Sequence, residues 1–170
     1  FPGSGKKRLF ADHLFTFGPY WTKNHSLPIS EERVHVVGYP YFEDERRRFR
    51  DEPKRDQILF ISQGTVGTDL SRLAVRLSHL LDGRWKVVYK LHPGEYDRWQ
   101  DEYPWLTDTS DVKVVTRDPP LYQLFARSKA QVGVNSTALF EGLGFGLETY
   151  LAELPGVGRM RDLWARGYGK

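Results

Sequence analysis

Apolar residues along this chain come in short runs separated by turn residues, and from residue 57 onward the runs alternate between two periods. Residues 57–61 form a nearly continuous apolar run of strand length. Leu70, Leu73, Ala74, Leu77, Leu80 and Leu81 then recur at helical spacing. Thr68 or Asp69 is the expected N-cap of that helix, Gly83 its stop, and Leu70, Leu73, Leu77 and Leu80 its expected buried stripe. Residues 85–91 predict a second strand. Both of its alternating sets are partly apolar, so it belongs at the centre of a sheet covered on both sides. A short helix over 95–101, a strand over 112–116 and a helix over 121–127 follow, the last opened by Asp118-Pro119-Pro120. Residues 131–134, 136–142, 148–152 and 158–166 continue the alternation as strand, helix, strand and helix. The pattern predicts an α/β fold: a Rossmann-like parallel sheet with helices on both faces.

The first third reads differently. Residues 14–17 and 33–37 are short extended runs stopped by Gly18-Pro19 and Gly38-Tyr39-Pro40. Residues 44–54 interleave arginines with acidic residues and end near Pro53, which predicts a solvated helix laced with ion pairs. Residues 1–54 are therefore an expected N-terminal extension and linker, and residues 55–170 the principal domain. Phe1–Arg8 is Gly-rich and basic and is expected to be flexible. Its Gly3-Ser4-Gly5-Lys6 looks like the tail of a phosphate-binding P-loop, but the leading Gly and preceding strand are missing. Lys7 also stands where Ser or Thr should hold magnesium.

Composition narrows the chemistry by exclusion. The 170 residues carry 25 Lys+Arg against 22 Asp+Glu, a net charge of +3 that does not point to nucleic acid or a membrane surface. The absence of Cys removes disulfides, a Cys-ligated zinc site and a thiol nucleophile. No run approaches the length of a membrane span. The five His lack a His-Glu-x-x-His spacing, and no Asp-x-Asp pair is present. Gly142-Leu143-Gly144-Phe145-Gly146 follows a helical pattern where a dinucleotide fingerprint would follow a strand. Ser136 lacks the Gly-x-Ser-x-Gly elbow of a hydrolase.

An open parallel sheet binds ligands outside the carboxyl ends of its strands. Three predicted strand ends carry unusual residues: Ser62-Gln63-Gly64-Thr65, then His92-Pro93-Gly94, then Asn135-Ser136-Thr137. Gly64 permits close backbone approach, and a hydroxyl-rich helix start suits a phosphate. Each has a plainer role as well: Ser136 as an N-cap, His92 as a loop histidine, Asp118 as a cap before Pro119. Lys90 is expected at the exit of its strand, in support of the same anion.

Lys90-Leu91-His92-Pro93-Gly94 together with Val132 to Gly142 resembles the C-terminal, donor-binding half of GT-B glycosyltransferases. Within that fold it is similar to bacterial sialyltransferases and polysialyltransferases, with their HP motif and later Ser/Thr pair, and to enzymes using CMP-Kdo or CDP-glycerol. The resemblance covers roughly residues 55–165. It implies a nucleotide-sugar donor as substrate, a glycan acceptor, a role in cell-surface polysaccharide synthesis, and no cofactor or metal requirement. It places phosphate contacts on His92, Ser136 and Thr137, with His92 as the catalytic group, whether protonated or simply donating. It also puts Asp118 near a nucleoside loop and Glu141 near the ribose. Gln63, Gly64, Thr65, Lys90, Pro93 and Asn135 complete the expected site. The acceptor half with its general base is missing from the resemblance, so this piece is expected to be inactive alone. The expected location is cytoplasmic, with peripheral association at the inner membrane face left open. A CDP-glycerol glycerophosphotransferase-like domain, a UDP-sugar epimerase of GT-B-like fold and a non-catalytic nucleotide-binding module are the alternatives.

Overall fold

The computed structural model describes residues 11–19, 22, 28–161, 165 and 167. The expectations for Phe1–Arg8, and for most of a last helix over 158–166, lie outside the described residues. Two compact units are present, Phe1–Asp44 and Glu45–Lys170. In the first, β1 (Leu14–Thr16) and β2 (Val34–Val36) pair in parallel, with Phe15 opposite His35. Helix α1 (Pro40–Arg48) starts at Pro40, where proline's missing N–H costs nothing. It therefore begins four residues before the charged segment that predicted it and stops before Pro53.

The second unit holds β3 (Arg55–Ile61), α2 (Gly67–Leu81), β4 (Lys86–Lys90), α3 (Trp99–Glu102), α4 (Pro104–Thr107), β5 (Val112–Val115), α5 (Leu121–Arg127), β6 (Ser128–Gly133), α6 (Ala138–Gly144) and β7 (Glu148–Leu151). All five strands are parallel, in the order β5-β4-β3-β6-β7. The two most continuous apolar runs occupy the interior of the sheet. Leu59 and Phe60 of β3 and Tyr89 of β4 are fully buried, and Phe60 lies opposite both Tyr89 and Val132. Phe60, Val87, Tyr89 and Val132 share one core with Leu70 and Ala74 of α2 and with Tyr103 and Leu106. On the other face, Gln131 of β6 donates to Leu139 O of α6 at 2.8 Å and to Thr149 Oγ1 at 2.7 Å. A Cβ on Gly142 would fall 2.0 Å from Gln131 Oε1, so the glycine-rich Gly142–Gly146 segment begins with a packing requirement.

Three details depart from the periodicity. Strand β6 starts at Ser128, immediately after α5, because Ser128 is buried and its hydroxyl donates to Leu124 O at 2.7 Å. Helix α2 starts at Gly67 behind Val66, and neither Thr68 nor Asp69 caps it. Its buried stripe is Gly67, Leu70, Ser71, Ala74 and Ser78, whereas Leu73 is 37% and Leu80 74% exposed. Small residues let this helix lie close on the sheet. Leu73 and Leu77 face an open apolar groove of about 530 Å³ beside Trp85, Val132 and Tyr150.

Residues 49–54, part of the sheet unit, are tied into it by side chains. Phe49 is buried, and Lys54 Nζ donates to Phe125 O, Ser128 O and Phe145 O at 3.0, 2.7 and 3.1 Å. Burial lowers the Lys54 pKa. Glu52 accepts from Arg127 Nε at 2.8 Å and from Gln123 Nε2 at 2.6 Å, and these donors hold its carboxyl down at about 2. A carboxyl so lowered contributes stability above its unfolded value of 4.5 and loses it as pH falls toward 2. The difference in thermal midpoint between the parent and Glu52→Gln should be largest near neutral pH, shrink steeply below pH 4.5 and approach zero only below about pH 2. A gap that persists undiminished in acid would mean the Arg127 contact is not electrostatic.

Candidate functional site

The chain leaves β4 at its carboxyl end, and Leu91 N–H still donates to Val115 O at 2.9 Å before the backbone turns. His92 is the cap of the one-turn 3-10 helix Pro93–Glu95. The cap is reciprocal: Gly94 N–H donates to His92 Nδ1 at 3.1 Å, and His92 N–H donates to Glu95 Oε2 at 2.7 Å. An accepting Nδ1 carries no proton, which leaves the imidazole proton on Nε2. The ring is exposed. Of the two forms open to His92 from the sequence, the geometry of this loop fits the simple donor.

Glu95 went unnoticed in the sequence, although a Glu three residues after a capping position is the pattern of a capping box. It is fully buried and is held by three neutral donors: His92 N–H, Ser62 Oγ at 2.9 Å and Tyr103 OH at 2.7 Å. Ser62 Oγ also lies 3.0 Å from Tyr89 OH, which donates to Gly67 O at 3.2 Å. Burial raises the pKa of both tyrosines, and the neighbouring Glu95 adds to the rise. The network therefore joins the loop after β3 to the loop after β4.

On the other side, Gln63 and Asn135 grip each other. Gln63 Nε2 donates to Asn135 Oδ1, Asn135 N–H donates to Gln63 Oε1 at 2.9 Å, and Asn135 Nδ2 donates to Gly156 O at 3.3 Å. These amides bind β3's exit to β6's exit. Gly64, Thr65 and Thr137 are exposed, and Ser136 is half-buried. Ser136 Oγ accepts from Ala138 N–H at 3.3 Å, while Thr137 occupies the cap position without a side-chain cap bond.

The remaining predicted residues divide. Lys90 sits at the strand exit, but it is 8% exposed, donating to Tyr96 OH at 2.8 Å and to Thr116 O. Asp118 is exposed after β5, two residues ahead of Pro120, which is the actual cap of α5. Glu141 accepts from Tyr122 OH, between α6 and α5. Pro93 opens the 3-10 turn. Two guanidinium groups without a motif also lie at this edge. Arg117 Cζ is 5.6 Å over the Tyr96 ring, and Arg98 pairs with Glu102 at 3.3 Å beside Gly64.

The strand order sets Asp118, His92, Gly64 and Ser136 in sequence along one edge of the sheet. Adjacent strands lie ~4.8 Å apart, so the exits of β4 and β6 are roughly 10 Å apart across β3. That edge offers N–H and O–H donors and two arginines, the chemistry of an anion site longer than one phosphate. Among the described residues no three His, Asp or Glu come together as a metal cluster. Among them, too, no helix is long and apolar enough to cross a membrane.

No protein-family model matches the sequence, and no curated protein matches it. Solved structures do. The UDP-GlcNAc 2-epimerase of Methanocaldococcus jannaschii, in complex with UDP-GlcNAc and UDP, is similar at 12% identity and a TM-score of 0.55. The match covers 83% of this chain and 44% of that one. Wall teichoic acid polymerase TagF is similar at 17% identity and a TM-score of 0.53, over 82% of this chain and 38% of that one. Its H444N variant with CDPG is similar at 16% identity and a TM-score of 0.52, over 82% and 37%. The fold is the Rossmann-like half of a GT-B structure. The chain spans less than half the length of each of these proteins.

Proposed function

We propose that this chain is the nucleotide-donor-binding domain of a glycosyltransferase of GT-B fold, taking a CMP-sugar or related nucleotide donor in cell-surface polysaccharide synthesis. The observation that carries this reading is His92. Its Nε2–H is presented to solvent at the carboxyl end of an interior strand, on the same edge of the sheet as the open Gly64-Thr65 loop and the Ser136-Thr137 helix start. As the bond between sugar and donor phosphate breaks, negative charge grows on the departing nucleotide. A donor held in place by its own cap would stabilise that charge without rearranging. A hydrogen bond to a charged group contributes ~1.5–3 kcal/mol, or a factor of about 10–100 in rate or affinity. Thr65, Ser136 and Thr137 would supply further donors, and Arg98 and Arg117 the surrounding positive potential. A glycan acceptor and its base would come from the other half of the protein, so turnover by this piece alone is not expected. The likeness to TagF solved with CDPG supports a cytidine donor. A UDP-sugar epimerase is the second reading, supported by the similar structure solved with UDP-GlcNAc and UDP.

Calorimetric titration of the chain with CMP, CDP, UDP, GDP and NAD separates these readings. The cytidine nucleotides should bind most tightly. Preference for UDP would favour the epimerase reading. Preference for NAD, or no binding by any of the five, would remove the donor site.

A further inference from the structure

We infer that Glu95, which touches no ligand position itself, is the residue that positions His92 for anion recognition, an inference that rests on the donor-site reading above. Serine, threonine, aspartate and asparagine are the side chains that cap helical turns well. The cap before Pro93 is nevertheless a histidine, and its Nδ1 can accept Gly94 N–H only while unprotonated. A capping serine has only the O–H of that same capping oxygen left to donate, close against the turn. A capping histidine has a second nitrogen left over, on the outer side of the ring, and the cap decides that this nitrogen carries the proton.

Whether the cap holds depends on the backbone of His92, which sits at φ −69° and ψ 144° as its N–H donates to Glu95 Oε2 at 2.7 Å. Burying a carboxylate is costly unless its lone pairs are matched. Here they are matched by groups drawn from three separate segments: His92, Ser62 and Tyr103. Ser62 immediately precedes Gln63-Gly64, so one carboxylate sets both the orientation of His92 and its distance from the Gly64 loop. The space for it is made by Gly67, where a Cβ would fall 2.7 Å from Glu95 Oε1. A purely structural carboxylate would stabilise the domain as well. It would have no reason to control which ring nitrogen of His92 is protonated.

The decisive measurement is the tautomer of His92, read from its imidazole 15N resonances in the full 170-residue chain, with His92→Ala used to assign them. The parent should show the Nε2–H form alone. Glu95→Gln preserves shape but turns an amide N–H₂ or a weaker acceptor toward His92 N–H. In that chain both tautomers should appear, and affinity for CDP should fall about tenfold, the effect of weakening one charge-assisted hydrogen bond. A folded Glu95→Gln chain that keeps the single Nε2–H form and the parent's CDP affinity overturns the inference, as does a parent that already populates Nδ1–H. Should Glu95→Gln not fold, Ser62→Ala loosens Oε1 alone, and an unchanged tautomer and affinity there overturn it equally. If His92→Ala binds CDP like the parent, the donor-site reading has failed. The tautomer shift in the unliganded Glu95→Gln chain still reports on Glu95 by itself.

Discussion

Gly67→Ala is expected to destabilise the sheet unit by about 3 kcal/mol, the combined cost of overpacking a core and unpairing a buried polar group. At this chain length that corresponds to a fall of roughly 6–12 °C in the thermal midpoint. The substitution would normally help, because alanine is favoured over glycine inside a helix by about 1 kcal/mol. Here the new Cβ would fall 2.0 Å from Tyr103 OH and 2.7 Å from Glu95 Oε1, and both residues are buried at 2% exposure or less. Tyr103 would have to withdraw, breaking its 2.7 Å hydrogen bond to Glu95 and leaving a buried carboxylate short of a donor. The clash outweighs the propensity. Thermal unfolding of Gly67→Ala against Gly67→Ala/Tyr103→Phe checks the cause. Removing the hydroxyl should recover part of the loss, since the two positions are in contact and their effects should not add. A Gly67→Ala midpoint at or above the parent's would show that helix α2 can shift away from Tyr103 at little cost.

His92→Ala is expected to weaken binding of a cytidine nucleotide by about 10–100-fold, the range for one hydrogen bond to a charged group. Its thermal midpoint should change little. The ring is exposed, so no cavity opens. The one interaction lost from the fold is the Gly94 N–H cap, which is worth about 1 kcal/mol. Ser136→Ala should act in the same direction with a smaller effect, because Ser136 is half-buried where His92 is exposed. Calorimetry paired with thermal unfolding separates the two contributions. Parent-like affinity in both variants would place the phosphate elsewhere on the molecule.

The interior strands were legible because burial on both faces demands apolar residues at consecutive positions, and 57–61 and 85–91 supply them. The helix over 67–81 was legible as a helix but not in its orientation. Leucine spacing marked Leu70, Leu73, Leu77 and Leu80 for the core, and Leu70 is fully buried there, yet Leu73 and Leu80 are exposed while glycine, serine and alanine complete the face that lies on the sheet. Periodicity reports an amphipathic stripe and is blind to which side of that stripe a sheet will cover. The start of β6 was hidden for a related reason, since Ser128 is a polar residue satisfied locally by Leu124 O.

At the candidate site, the sequence alone placed His92, Gly64, Thr65, Ser136 and Thr137 on one edge. A parallel α/β pattern puts every strand's carboxyl end on the same side. What the sequence could not supply was which side chains spend their hydrogen bonds on one another. Gln63 with Asn135, Lys90 with Thr116 O and Glu141 with Tyr122 are partnerships between residues 19 to 72 positions apart, and only the strand order β5-β4-β3-β6-β7 brings them within reach. Glu95 belongs with them. Its spacing from His92 is local and readable as a cap, but its burial is decided by Ser62 and Tyr103, which meet it only in the folded chain. Local spacing determined where donors could stand, because strand and helix periods are properties of the backbone. Tertiary packing decided which of those donors remain free, because a buried polar group takes whatever partner the fold brings to it.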